Sequence, residues 1–149
     1  MEAESVENSQ VGQSSYTIIS YPSKDLPEAY KGLVFSKWLR SLRYSNDYFR
    51  LIDSESYFRV YHEYIERLLS NPSTIVRLAV LTDDFDVVFG FSVARGDVLH
   101  YCHTHKDSRK QGIGTSLVPF EVKVITHVTT IGMAIWQKRF PNAIFNPFA

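Results

Sequence analysis

Residues 75–105 restrict the fold more than any other part of the chain. Three apolar runs follow one another there: Ile75–Leu81, Val87–Ala94 and Val98–His105. The links between them are Thr82–Asp83–Asp84–Phe85–Asp86 and Arg95–Gly96–Asp97, both rich in turn-forming residues. Links this short cannot carry a crossover, so the three runs are expected to pair as an antiparallel meander. A meander has two faces, and the flanking segments must supply what covers them.

The flanks fit that requirement. Tyr16, Ile18, Ile19 and Tyr21 read as a first strand stopped by Pro22. Tyr30, Val34 and Trp38, with Phe35, Leu39 and Leu42 beside them, fall at helical spacing behind Pro27. Phe58, Tyr61, Ile65, Leu68 and Leu69 form a second helical stripe, with Asp53 or Ser54 as cap and Asn71–Pro72 as stop. After the meander come a polar loop, a short helix broken near Pro119, and a candidate strand at Val122–Val128. A last helix at Thr129–Phe140 and a short terminal strand within Asn142–Phe148 complete the order. On that last helix Ile131, Ile135 and Met133 read as the core side. The strand–helix–strand step implies one parallel pair in the sheet. The expected fold is therefore α+β: one domain over residues 16–149, with a mixed, mostly antiparallel sheet flanked by helices. Residues 1–15 carry Glu2, Glu4 and Glu7 with few apolar side chains, and are expected to form an unstructured acidic tail.

Composition removes several function classes. Lys plus Arg number 16 and Asp plus Glu 16, a balance that disfavours a dedicated nucleic-acid binder. No apolar run approaches the ~20 residues of a membrane helix, and the start of the chain lacks the basic and apolar regions of a signal peptide. A single cysteine, Cys102, forbids an intrachain disulfide and suits a reducing compartment, so a cytoplasmic setting is expected. Nine Tyr and ten Phe favour a dense core or an aromatic-lined cleft.

The most informative motif is Arg109–Lys110–Gln111–Gly112–Ile113–Gly114–Thr115–Ser116–Leu117, between a strand and a helix. Two glycines one residue apart permit a sharp turn and close backbone approach to a ligand. Unpaired amides at a helix start favour a phosphate, and Arg109 and Lys110 add positive charge. The run lacks the Gly-Lys-Ser/Thr ending of a Walker loop and the third glycine of a dinucleotide fingerprint. Such glycines also occur for purely structural reasons.

The run R-x-x-G-x-G, in this strand-to-helix position, resembles the acetyl-CoA-binding signature of the GNAT acyltransferase superfamily. With Leu99–His100–Tyr101 leading into the loop, the chain is similar to small GNAT-like proteins of bacteria and their phages. The resemblance covers the element order of residues 16–148, with its specific motif at 102–117. It implies that the amides of Gln111, Gly112, Ile113, Gly114 and Thr115 bind the CoA pyrophosphate, flanked by Arg109 and Lys110. It implies that Cys102, His103 and Thr104 pair main chain to main chain with the pantetheine arm, and that the parallel strands splay to admit the thioester. The expected activity is transfer of an acetyl group from acetyl-CoA to an amine acceptor by direct attack, in a bacterial or phage-infected cytoplasm. Val98 stands where some members carry a glutamate base, and no tyrosine follows Tyr101. Those departures carry the alternative, a non-catalytic GNAT-like binding or scaffold module acting on a protein partner.

Acyl transfer to an amine needs a base, and His103 and Asp97 are the candidates. On an ideal strand His103 and His105 share a face with Tyr101, while His100 faces away. That alternation also argues against His100, His103 and His105 converging on a metal, and no metal site is expected. Tyr101 and Cys102 are candidate acids; Cys102 as a covalent nucleophile competes with the reading of a buried thiol. On the first helix, Trp38, Arg40 and Arg43 would border the acceptor, the arginines suiting a carboxylate or phosphate. The same basic and aromatic segment, continued through Tyr44, Tyr48, Phe49 and Arg50, is the basis of a weaker nucleic-acid reading. Phe145, Pro147 and Phe148 suit either the chain's own core or a homodimer interface.

Overall fold

The computed structural model describes residues 6–11, 14–106 and 112–149. Among these, seven strands form one sheet in chain order: β1 (Val6–Val11), β2 (Ser14–Pro22), β3 (Ile75–Leu81), β4 (Asp84–Arg95), β5 (Val98–Thr104), β6 (Val124–Ile125) and β7 (Ile144–Phe145). Strands β1 to β5 are antiparallel neighbours; β5, β6 and β7 run parallel. The helices are α1 (Glu28–Tyr44), α2 (Asp47–Arg50), α3 (Ser54–Ser70), α4 (Ile113–Leu117) and α5 (Thr130–Arg139). The fold is the mixed α+β arrangement expected.

Strand alternation divides the core into two layers. Ile19, Leu78, Val80, Phe91, Val93 and Tyr101 face α1 and α3. Ile18, Ala79, Ala94 and Leu99 face α4, α5 and the segment Val118–Ile125. Asp53 caps α3 by accepting the Ser56 amide at 3.1 Å.

The structure corrects four expectations. Residues 6–11, expected in an unstructured tail, form β1, paired with β2 from Val6↔Ile19 to Val11↔Ser14. Side-chain composition does not register this, because an open strand edge recruits main chain whatever its side chains. Residues 84–86, expected in a link, begin β4, beside register shifts at Val80 and Leu81. The strand expected over Val122–Val128 contracts to Val124–Ile125. On α5 the buried stripe is set by Trp136, leaving Ile131 and Ile135 57% and 54% exposed. These isoleucines lie one residue, about 100° of helix rotation, off that stripe.

One irregularity governs the centre of the molecule. Val93 pairs with Tyr101 but Ala94 pairs with Leu99, so His100 is an extra residue on β5, a β-bulge. Leu99 therefore faces one core layer and Tyr101 the other.

Candidate functional site

Two regions hold the chemistry-bearing side chains. The first is the C-terminal end of β5. Pairing with β6 covers only Val98 and Leu99, while β5 runs on to Thr104. The Thr126 amide donates to the Leu99 carbonyl at 3.0 Å, and the chain then turns away toward α5. On the other edge the His105 amide donates to the Phe89 carbonyl at 2.6 Å. By alternation the main-chain groups of Cys102 and Thr104 point toward the β6 side, beyond the point where β6 pairing ends. Gly112 takes φ +81° and starts α4, a left-handed conformation that glycine adopts without strain. A Cβ built on Gly114 would lie 3.7 Å from the Thr104 hydroxyl, so the strand end and the glycine turn adjoin. Tyr16 and Ser116 share a hydroxyl hydrogen bond at 2.7 Å, and Ser92 donates to the Leu117 carbonyl at 2.7 Å. Arg139 of α5 donates to the Thr115 and Val118 carbonyls. These bonds hold α4 against the sheet. Arg109, Lys110 and Gln111 lie outside the described residues.

The expected site residues separate into those this region gathers and those it does not. Cys102, His103 and Thr104 lie together on β5, with Gly112, Ile113, Gly114 and Thr115 next to them. His103 sits beside Phe91, ring centroids 5.6 Å apart. Asp97 is at the opposite end of β5, six residues away, or ~20 Å along a strand. There its carboxylate pairs with Lys123 at 3.9 Å. It cannot share a reacting centre with His103. Ile113 is buried in the α4 core and is available through its main chain alone. Cys102 is half-buried, and burial pushes its thiol up to about 12, so the thiolate nucleophile is disfavoured.

The acceptor residues expected on α1 are corrected as well. Trp38 has no exposed surface: Tyr101 stacks on it at 4.9 Å and Tyr64 meets it edge-on at 6.2 Å. Arg43 is buried, donates to the Phe49 and Ile52 carbonyls at 3.3 and 3.0 Å, and lies 5.1 Å over the Tyr57 ring. Both are structural. Arg40 is exposed. Tyr101 is fully buried, its hydroxyl 2.6 Å from Ser41 Oγ.

The second region, around β6, was not visible in the sequence. The bulge turns His100 toward α3, not away from the Tyr101 face. Its Nδ1 lies 3.2 Å from Thr126 Oγ1 and 3.4 Å from the Tyr64 hydroxyl. His127 Nδ1 lies 3.1 Å from the same Thr126 oxygen, its ring 5.4 Å from Tyr61 and 5.0 Å from Tyr64. Burial pushes both imidazoles down to about 4, with Arg95 and His127 adding to the effect on His100. Both rings are neutral at pH 7. Next to them is a cavity of about 720 Å³, lined by Tyr48, Phe49, Tyr61, His127, Phe145 and Phe148 among others. Phe145 and Phe148 thus border this cavity and are 53% and 94% exposed. The available signal was a histidine within Val124–Val128, but the hydroxyl that gathers the site, Thr126, draws His100 from 26 residues earlier, and the rings around it come from α3.

Among the described residues no group of three His, Cys, Asp or Glu side chains could hold a metal ion, and no helix is long and apolar enough to cross a membrane. No protein-family model matches the chain, and no curated protein matches it.

Proposed function

We propose that the chain is an acetyl-CoA-dependent N-acyltransferase of GNAT type, acting on an amine acceptor. The observation that carries this reading is the end of β5: a strand edge that, among the described residues, runs on past its last β6 pair and adjoins a glycine turn. Such an edge can pair with the amides of a pantetheine arm as a further strand would. The Gly112–Thr115 turn then supplies amides for the pyrophosphate. Since α4 has only five residues, those turn amides, and not a long helix dipole, carry the phosphate contact. The acceptor amine attacks the thioester carbonyl directly, the CoA thiolate leaves, and the amine proton passes to a base. His103, on the same stretch of β5, is the residue we assign to that role. Asp97 is not part of it.

The test is calorimetry with acetyl-CoA on the whole chain and on Gly114→Asp. Gly114 has an ordinary backbone conformation and room for a Cβ, so the variant brings negative charge without backbone strain. Binding by the parent, weakened about tenfold or more in the variant, supports the site; His103→Ala should then keep acetyl-CoA binding and lose turnover. A folded parent that does not bind acetyl-CoA overturns the reading. That result would favour the non-catalytic partner-binding module, which the exposed Ile131 and Ile135 support.

A further inference from the structure

Among the described residues, none of the 98–117 segment lines the cavity beside β6, which is a second place beside the proposed acetyl-CoA site. Its character follows from one hydroxyl. Thr126 is fully buried, and its Oγ1 donates to the His100 carbonyl at 3.2 Å. A carbonyl only accepts, and a hydroxyl has one proton. With that proton on the His100 carbonyl, Thr126 accepts from His100 Nδ1–H at 3.2 Å and from His127 Nδ1–H at 3.1 Å. In that arrangement both rings are the Nδ1–H tautomer, and each Nε2 carries a bare lone pair. His100 Nε2 is sealed in the interior without a partner among the described residues. His127 is 4% exposed and lines the cavity; its Nε2 has no hydrogen-bond partner among the described residues.

The rest of the wall defines what can meet that lone pair. Tyr48, Phe49 and Tyr61 form a chain of edge-to-face rings ending on His127, with centroid spacings of 5.5, 5.5 and 5.4 Å. Phe145 and Phe148 stand at the cavity with large exposed rings. No Asp, Glu, Lys or Arg lines it among the described residues. An ion would lose its hydration there without a counter-charge. The volume is within the range of small-molecule sites.

We propose that this cavity binds a neutral, planar aromatic molecule that carries an N–H or O–H donor, which His127 Nε2 accepts. The site goes beyond acyl transfer and does not depend on it. The test uses the whole chain without acetyl-CoA and three probes: indole, benzofuran and indole-3-acetate. Benzofuran keeps the shape of indole without the N–H, and indole-3-acetate adds a negative charge. Titration should show saturable indole binding, with benzofuran and indole-3-acetate each about tenfold weaker or more. In His127→Phe, indole and benzofuran should bind equally. Independently of that variant, the ¹⁵N resonance of His127 Nε2 in the parent should move on adding indole and stay put on adding benzofuran. Absent indole binding, equal affinity for indole and benzofuran in the parent, tighter binding of the anion, or an unmoved Nε2 resonance each overturns the proposal. Failure here leaves acetyl-CoA binding untouched, so the two readings fail separately.

Discussion

Thr126 concentrates more of the structure in one side chain than any other residue of the second region. Thr126→Val keeps the shape but takes the shared hydroxyl away from both imidazole Nδ1 atoms and from the His100 carbonyl. Unfolding in urea should show a loss of about 3 kcal/mol, most of it restored by Thr126→Ser. Arg43 is the second such residue. Arg43→Lys keeps the charge but not the fork that reaches two carbonyls or the planar group over Tyr57. It should cost about 2 kcal/mol in the same assay. The two residues differ in how far the sequence disclosed them. Arg43 lies four positions after Leu39 and one after Leu42, so its place near the buried stripe of α1 was legible; its carbonyl partners were not. Thr126 and His127 carry no local signal, because a hub is defined by partners that arrive from β5 and α3.

At the level of elements, the parts with local signals were legible. Both long helices announced themselves by apolar spacing, α3 also by its Asp53 cap, and the meander by its short links. The elements whose existence depends on neighbours were not: β1 forms by joining an edge, and β6 is shortened where the chain leaves for α5. The proposed acetyl-CoA site was legible as a motif, while its adjacency to Thr104 needed the fold. Gly90 shows how closely these elements approach. A Cβ there would lie 2.5 Å from the His103 carbonyl and 3.1 Å from Thr104 Cα, both main-chain atoms that cannot swing aside. Gly90→Ala should destabilise the protein by about 2 kcal/mol. Amide exchange should quicken at 102–104 more than elsewhere, because β5 must move off β4.

The whole molecule inherits an acid limit from its two buried histidines. Their folded pKa of about 4 lies below the ordinary value of 6.5. Between those values the unfolded chain binds more protons than the folded one, so stability falls as pH falls. Full stability is present above pH ~6.5 and is lost progressively toward pH ~4. The urea midpoint should therefore drop between pH 7 and pH 4.5, and His127→Phe should flatten that slope if it folds; an unchanged midpoint in the parent would show that the rings are already solvated. The bulge at His100 has a consequence of another kind. Strand residues have a parity, odd to one layer and even to the other, and an inserted residue inverts it for everything that follows. Were His100 instead paired in regular register, with no bulge, Tyr101 and His103 would turn toward α4, and Cys102 and Thr104 toward α1. The extra residue therefore works as a frame marker: it sets which of the two layers reads each later side chain of β5.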